Sequence, residues 1–226
     1  MDTKETYDAS KFEKPSVTVD VLFFTIKEGK LQVLLIKRAA WPFQGYWALP
    51  GGFVGMNEDL ETAAAREIYD ECGIKNLFLE QLFTFGEPKR DPRTRVITVT
   101  YYALAPSEDI KQIQVDEVKE AKYFPIDSLP KMAFDHKKIV EVGFERLKSK
   151  IRYSNIVFGL LPDVFSLSEV QNIYEIIFDK KIDKRNFRKW MLSSGLLIST
   201  GKKKSGLAHR PALQYKFAKR EVVMID

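Results

Sequence analysis

Three acidic side chains within one short segment could bind a metal ion. Asp70 and Glu71 lie three and four residues after Glu67, a spacing that puts all three carboxylates on one face of a helix. Like charges at this spacing repel each other, so the cluster indicates a cation between them. Oxygen ligands favour a hard ion such as Mg²⁺ or Mn²⁺, which would also bridge to phosphate groups. The alternative is a solvated acidic face whose charge Arg66 offsets.

The residues around this cluster predict a helix between two loops. Asn57 or Asp59 can cap the start of the helix, the alanines that follow favour helix, and Gly73 can end it. The whole pattern resembles the Nudix box, the signature of enzymes that cleave nucleoside diphosphates linked to another group. It consists of Gly52, Glu58 and the run Arg66-Glu67-Ile68-Tyr69-Asp70-Glu71-Cys72-Gly73-Ile74.

One position departs from the box, because Asp70 stands where the family carries the first of two adjacent glutamates. Aspartate is one methylene shorter, and Mg²⁺ demands near-ideal octahedral geometry, so a retracted carboxylate should weaken or misplace the ion. A neutral sugar would need no metal cofactor, only hydrogen-bonding groups and a ring to stack on. The residues that could supply such an effector pocket, if they converge, are Arg38, Trp47, Glu67 and Glu71.

Composition and charge narrow the class of protein. The chain has 226 residues, 45% of them hydrophobic, which is ample for a packed core. A single cysteine excludes a disulfide framework, and no segment approaches the ~20 apolar residues that span a bilayer. We therefore expect a soluble cytoplasmic protein without a membrane partner. Residues 153–226 hold 13 basic and 7 acidic residues, so the net positive charge lies in the last third and indicates an anionic partner.

The hydrophobic pattern predicts two domains. Residues 1–150 alternate between strands and helices, which fits an α+β fold of the Nudix type, an α/β/α sandwich with a mixed sheet between helices. The predicted strands are 17–26, 31–36, 77–85, 96–104 and 121–125, followed by a helix at 135–150. Between two of these strands lies a charged loop at 86–95.

Residues 151–226 follow a different pattern, with three predicted helices and a hairpin that has a basic tip. The helices are 155–161, 169–178 and 184–193, with Ser166 or Ser168 capping the second and Asp183 the third. This order describes a winged helix-turn-helix, in which the third helix enters the major groove of DNA and the wing contacts phosphates. The predicted DNA-binding residues are Lys184, Arg185, Asn186, Arg188, Lys189, Lys202, Lys203, Lys204 and Arg210.

The two-domain order is similar to a family of bacterial transcription regulators related to ADP-ribose pyrophosphatases. Local resemblances include residues 47–54, 183–188 and 209–213, together with the charged loop and Phe134-Asp135-His136. The resemblance implies a homodimer that binds a palindromic double-stranded DNA operator and responds to a small-molecule effector in the Nudix domain. One branch of the family controls NAD metabolism and responds to ADP-ribose, and another responds to L-arabinose.

Residues 7–20 resemble the Bacteroidetes arabinose branch more closely, so L-arabinose is the favoured effector and ADP-ribose the next. The regulator would require no cofactor. The alternative function is an active Mg²⁺-dependent Nudix hydrolase that acts on ADP-ribose or a related nucleoside diphosphate. In that case Glu67, Asp70 and Glu71 would be the catalytic, metal-binding residues.

Overall fold

The structure is a computed structural model that describes residues 8–75, 78–106, 120–204 and 212–225. After a 3-10 turn at Ala9–Lys11, the elements in chain order are β1 (Ser16–Lys27), β2 (Lys30–Lys37), β3 (Trp47–Ala48), β4 (Gly51–Phe53), α1 (Leu60–Cys72), β5 (Leu79–Phe85), β6 (Val96–Leu104), β7 (Ala121–Pro125) and α2 (His136–Lys150). A 3-10 helix (Ile156–Leu160), β8 (Phe165–Ser166), α3 (Leu167–Phe178), α4 (Lys184–Ser193), β9 (Leu197–Lys204) and β10 (Ala212–Phe217) complete the chain.

A seven-stranded mixed sheet organises the first 150 residues around β1. This strand forms a hairpin with β2, lies parallel to β6 along nine residue pairs, and pairs antiparallel with β4 at its start. β5 lies at one edge beyond β6, and β3 and β7 both pair with β2. The uninterrupted buried run within β1 is typical of a strand that is covered on both faces.

Successive side chains of the sheet point to opposite faces, and each face packs against a helix. Val21 and Phe23 belong to a core that includes Ala64 and Ile68 of α1. Leu22, between them in sequence, belongs to a second core on the other face that includes α2. Helices on both sides of a mixed sheet confirm the predicted α/β/α sandwich. None of the helices within the described ranges has the length and apolar character needed to cross a bilayer.

The last third forms a winged helix, as predicted. Helix α3 starts with a capping box in which Ser166 and Glu169 exchange hydrogen bonds, so Ser166 rather than Ser168 is the cap. Tyr174 of α3 lies 5.3 Å from the ring of Phe187 in α4, which joins the two helices. A three-stranded sheet in the order β8-β10-β9 closes the domain. β8 was missed by the sequence prediction, because two residues carry no periodicity.

Two details refine the prediction. The helix predicted at residues 155–161 is a 3-10 helix at Ile156–Leu160. Lys202 to Lys204, predicted to bind DNA from the hairpin with the basic tip, belong to strand β9, which pairs with β10.

The winged helix is joined to the sheet by a shared hydrophobic core. One cluster of buried side chains includes Leu104 of β6, Leu147 of α2, and Phe158, Ile173 and Phe187 of the last third. The 3-10 helix lies so close to β6 that a Cβ on Gly159 would stand 2.7 Å from the Cβ of Leu104. The glycine therefore permits this close approach.

Substituting Gly159 with alanine tests this junction. The added Cβ would meet an atom fixed to the backbone of β6, so the 3-10 helix must move, and overpacking of this kind costs about 1–3 kcal/mol. We expect a lower urea midpoint for Gly159→Ala. Gly86→Ala is the matched control, because its Cβ would have no neighbour closer than 3.9 Å. Equal midpoints for the two variants would contradict the close packing.

Candidate ligand pocket and nucleic-acid interface

Helix α1 carries the predicted carboxylates and has the ends expected from its sequence. Asp59, rather than Asn57, caps its start, since its carboxylate accepts a hydrogen bond from the Thr62 N–H at 2.8 Å. Gly73 ends it in a left-handed conformation, with φ at 68°. Gly52 lies against the helix so closely that a Cβ there would stand 2.4–2.8 Å from the Glu67 carboxyl group. The box sequence therefore packs strand β4 directly onto α1.

The three carboxylates occupy one helix but do not converge. Glu67 pairs with the guanidinium of Arg66 at 2.7 Å. The Asp70 side chain is 53% exposed, and its nearest cation is also Arg66, at 3.7 Å. Glu71 turns away from solvent and accepts a hydrogen bond from the Gly51 N–H at 2.8 Å. Glu67 and Asp70 therefore share Arg66 as their partner, whereas Glu71 bonds to the backbone of Gly51, so the three carboxylates do not meet at one point.

Arg66 neutralises the acidic segment. Its guanidinium contacts both carboxylate oxygens of Glu58, at 2.7 and 3.0 Å, and donates to the Phe53 carbonyl oxygen at 3.1 Å. These hydrogen bonds lower the pKa of Glu58 to about 2. Among the residues that the structure describes, no three His, Cys, Asp or Glu side chains are placed to hold a metal ion. The side chains as arranged do not fit the predicted Mg²⁺ or Mn²⁺ site.

A cavity of about 210 Å³ lies beside α1 and contains two of the predicted effector residues, Arg38 and Glu71. Glu67 and Trp47 do not line it. Trp47 points to the opposite face of the sheet, where its ring lies 4.6 Å from that of Phe124, while the neighbouring Ala48 faces the cavity. The alternation of side chains along a strand explains this correction. A larger groove of about 880 Å³ lies between α2 and α3 and includes none of the predicted site residues.

Arginine and aromatic side chains that the sequence analysis did not select also line the cavity. The guanidinium carbon of Arg38 lies 4.8 Å from the ring centre of Phe134, and that of Arg93 lies 5.5 Å from Phe53 and 5.8 Å from Phe134. Burial, and then the charge of Arg93, lowers the pKa of Arg38. Phe134 has a positive φ of 51°, a conformation that clusters at functional sites. An anion beside these arginines would be stabilised.

Two signals in the sequence could have found these residues. Arg93 belongs to the charged loop at 86–95, and Phe134 begins the string Phe134-Asp135-His136, both noted only for their family resemblance. In the structure the loop is anchored by a bidentate pair, in which Arg93 donates to both oxygens of Asp91 at 2.7 and 3.0 Å. Phe53 lies within residues 47–54, which were likewise noted only for their family resemblance.

A buried polar network fixes the floor of the cavity. Arg90 is 8% exposed, forms a bidentate pair with Asp135 at 2.7 and 3.1 Å, and lies 3.5 Å from Asp20. His136 accepts a hydrogen bond from the Leu49 N–H on Nδ1, so its proton belongs on Nε2, which lies 3.5 Å from Asp20. Burial lowers the pKa of His136, which keeps the imidazole neutral.

Helix α4 presents the predicted DNA-reading residues on its exposed side. Asp183 caps the helix by accepting from the Asn186 N–H at 2.8 Å, while Phe187 and Met191 are buried. Lys202 and Lys203 on β9 are exposed. The five predicted residues of the helix are exposed as well, and these are Lys184, Arg185, Asn186, Arg188 and Lys189. Lys204 lies at the end of β9, and Arg210 lies outside the described residues.

Glu71 should make the stability of the protein depend on pH. Burial raises its pKa from an ordinary 4.5 to about 8, so between these values the folded protein keeps a proton that the unfolded chain has lost. Stability then falls as pH rises, by at most about 1.4 kcal/mol per pH unit for one group. Glu71→Gln keeps an acceptor for the Gly51 N–H and has no proton to lose.

We expect the stability of Glu71→Gln relative to the unsubstituted protein to grow from pH 5 to pH 8 in urea unfolding. The titration of His136 is common to both proteins and cancels in this difference. Glu61→Gln, at an exposed position of the same helix, is the control for replacing a carboxyl group with an amide. A constant difference for Glu71→Gln would contradict its raised pKa.

Comparison with known proteins identifies the family of this chain. Residues 14–142 match the model of the NUDIX domain, and residues 157–217 match that of the NrtR DNA-binding winged helix domain. The ADPR responsive transcriptional repressor NtrR of Acinetobacter baylyi is 38% identical over 216 residues, covering 94% of this chain and 86% of the relative.

Solved structures agree with this match. NrtR of Shewanella oneidensis complexed with a 27mer DNA superimposes with a TM-score of 0.80 at 36% identity, covering 89% of this chain and 93% of that one. The NUDIX domain of the same protein, complexed with ADP ribose, gives a TM-score of 0.57 at 37% identity over 63% of this chain and 94% of the domain. The chain, with its arginine-lined cavity and exposed basic helix, belongs to the NrtR family of Nudix-related transcriptional regulators.

Proposed function

We propose that the protein is a transcriptional repressor that binds ADP-ribose in the cavity beside α1 and releases DNA in response. The proposal assigns ligand binding to residues 1–150 and DNA binding to residues 151–226. The observation that carries it is the cavity itself, because two arginines and two exposed or partly exposed aromatic rings meet there without a converged metal site. The relatives named for ADP-ribose and for DNA support the same pairing of functions.

The chemistry of the cavity favours a nucleoside diphosphate over a free sugar. A diphosphate carries charges that Arg38 and Arg93 can neutralise through charge-assisted hydrogen bonds. L-arabinose is neutral and would bring no counter-charge to Arg38, whose Nε donates to the uncharged Pro42 carbonyl oxygen, whereas Arg93 already pairs with Asp91. The sequence-based preference for L-arabinose has no support among the matched relatives, so ADP-ribose takes its place as the proposed effector.

The dimensions of the cavity suggest how such a ligand would lie. A volume of about 210 Å³ is below the roughly 300–1,000 Å³ of complete ligand sites. A ligand of dinucleotide size would therefore extend beyond it, over the exposed Phe53 ring and the neighbouring Arg93. The aromatic face suits an adenine base, and Asp91 at the same rim can accept hydrogen bonds from ribose hydroxyl groups.

The arrangement of α1 favours binding without hydrolysis. Glu67 and Asp70 lie beside the guanidinium of Arg66, and Glu71 accepts from the Gly51 N–H, so each of the three carboxylates already has a partner within the protein. The alternative of a Mg²⁺-dependent hydrolase would require these side chains to change partners.

DNA binding is proposed to use a homodimer on a palindromic operator. One α4 helix reads a few base pairs, and two helices that are related by twofold symmetry would read matching half-sites. Because the half-sites must be separated by whole turns of DNA, a ligand that alters the distance between the two reading helices would abolish specific binding.

A titration of the full chain tests the effector assignment. We expect ADP-ribose to bind in calorimetry and to weaken DNA binding in a mobility shift, whereas L-arabinose does neither. Arg38→Gln should weaken ADP-ribose binding about 10- to 100-fold, because it removes a charged hydrogen-bond donor from the cavity. Lys37→Gln is the control, since this neighbouring cation pairs with Glu120 on the other side of the strand.

The same samples decide between sensing and hydrolysis. Incubated with Mg²⁺, the unsubstituted protein should return ADP-ribose intact, and Asp70→Glu should not start release of AMP, because position 70 points towards Arg66 and solvent. AMP formation that is lost in Glu71→Gln would overturn the sensor proposal. An equal response to L-arabinose would overturn the choice of effector.

DNA variants separate base reading from phosphate contact. Arg185→Ala should cost about 1–3 kcal/mol on the operator and relax sequence preference, as expected for a side chain that reads bases. Lys202→Ala should weaken binding to all sequences and reduce the salt slope by about one. Lys138→Ala on the exposed side of α2 is the control. Unchanged DNA affinity in both Arg185→Ala and Lys202→Ala would contradict the assignment of α4 and β9 as the DNA-binding surface.

A further inference from the structure

The C-terminal segment after β10 returns to the chain that joins the two domains. Asn155, which is 1% exposed, accepts from the Val223 N–H at 2.7 Å and donates to the Glu221 carbonyl oxygen at 2.9 Å. Its own N–H donates to the Val223 carbonyl oxygen at 3.1 Å. The Ile225 N–H donates to the Tyr153 carbonyl oxygen at 2.8 Å. We call residues 219–225 the strap.

Arg220, near the other end of the strap, forms hydrogen bonds and an ion pair with residues 158–163. Its guanidinium donates to the carbonyl oxygens of Phe158 and Leu161 at 3.1 and 3.0 Å, and pairs with Asp163 at 2.9 Å. These carbonyl groups lie at the end of the 3-10 helix, where the Phe158 oxygen also accepts from the Leu161 N–H at 3.3 Å. The strap therefore contacts both ends of the segment 153–163. Residues 221–225 bond to Tyr153 and Asn155 at its start, and Arg220 bonds to residues near its end. The strap lies beyond residues 157–217, which match the winged helix model.

Residues 153–155 also follow directly on helix α2, whose other end lies at the cavity. Asp135 and His136, at the start of α2, contact Arg90 and the Leu49 N–H in the cavity wall. The helix has 15 residues, so it spans about 22 Å. At its far end the Ser154 hydroxyl donates to the Lys150 carbonyl oxygen at 2.8 Å. A helix is stiff along its axis, so a shift at one end moves the other.

We propose that the strap transmits the state of the cavity to the wing. A displacement of α2 moves residues 153–155, and the hydrogen bonds of Asn155 and Tyr153 carry residues 221–225 with them. Residues 218–225 follow β10 directly in the chain, and β10 pairs with β9 of the wing and with β8. The wing is therefore connected to α2 through the strap as well as through the chain path of the 3-10 helix, α3 and α4. This inference rests on the proposed function, in which the cavity binds ADP-ribose.

The test compares two substituted chains and one shortened chain with the unsubstituted protein. Arg220→Ala removes the fastening at one end of the strap, and a chain that ends at Ala218 removes the strap entirely. Lys219→Ala is the matched control, because this adjacent side chain is 69% exposed and forms only a surface ion pair with Glu221. Each protein is measured for ADP-ribose affinity, for operator affinity alone, and for operator affinity with saturating ADP-ribose.

Coupling is the ratio of operator Kd with and without ADP-ribose, and values of about 5–150 are usual for linked sites. We expect the shortened chain to lower this ratio at least fivefold and Arg220→Ala to lower it partly, while both separate affinities change less than twofold. Lys219→Ala should keep the original ratio. An unchanged ratio in both strap variants, each folded by circular dichroism, would overturn the proposal.

Hydrogen exchange separates this inference from the proposed function. Linkage is reciprocal, so DNA binding should change exchange of the first turn of α2, residues 136–139, in the unsubstituted protein. If ADP-ribose has no effect on DNA binding, the proposed function fails. The role of the strap is then tested only by the change in hydrogen exchange that DNA causes in residues 136–139. Loss of the change in the strap variants supports the proposal. Its persistence, or its absence from the unsubstituted protein, overturns the proposal.

Discussion

The buried guanidinium of Arg90 is the group on which the arrangement of the cavity depends. A charge removed from water is tolerated only when it is paired and hydrogen-bonded, and Arg90 meets this condition with Asp135 and Asp20. One partner lies on the central strand and the other at the start of α2, so the ion pairs join the charged loop to both layers. The positions of Phe134 and His136 follow, because they flank Asp135 in sequence. Removing either carboxylate would leave the buried guanidinium with one of its two acidic partners.

The box helix keeps the Nudix backbone while its carboxylates contact a cation of the protein itself. Its caps, its packing against Gly52 and its place beside a cavity all agree with the Nudix pattern. Its charges are compensated within the protein, since Arg66 contacts Glu58 and Glu67 and lies near Asp70. A cluster of acidic residues therefore indicates a cation, but that cation can be a side chain. Sequence spacing alone does not distinguish the two outcomes.

Local patterns predicted the elements well, and long-range contacts explain what was missed. The caps Asp59 and Asp183, the hairpin of β1 and β2, and the third helix of the last domain were all predictable from residue types over a few positions. Trp47 was placed in the cavity because stacking rings suit sugars, yet the register of β3 on β2 turns it to the other face. Phe53 and the strap could not be predicted, because their roles arise from contacts with residues distant in sequence.

The shared hydrophobic core has a consequence for how this protein can evolve. Leu104, Leu147, Phe158 and Phe187 belong to one cluster, although they come from the Nudix and winged helix parts of the chain. A substitution in this cluster alters the packing of both parts at once. Exchanging one part for a domain from elsewhere would therefore require a matching surface on the new partner.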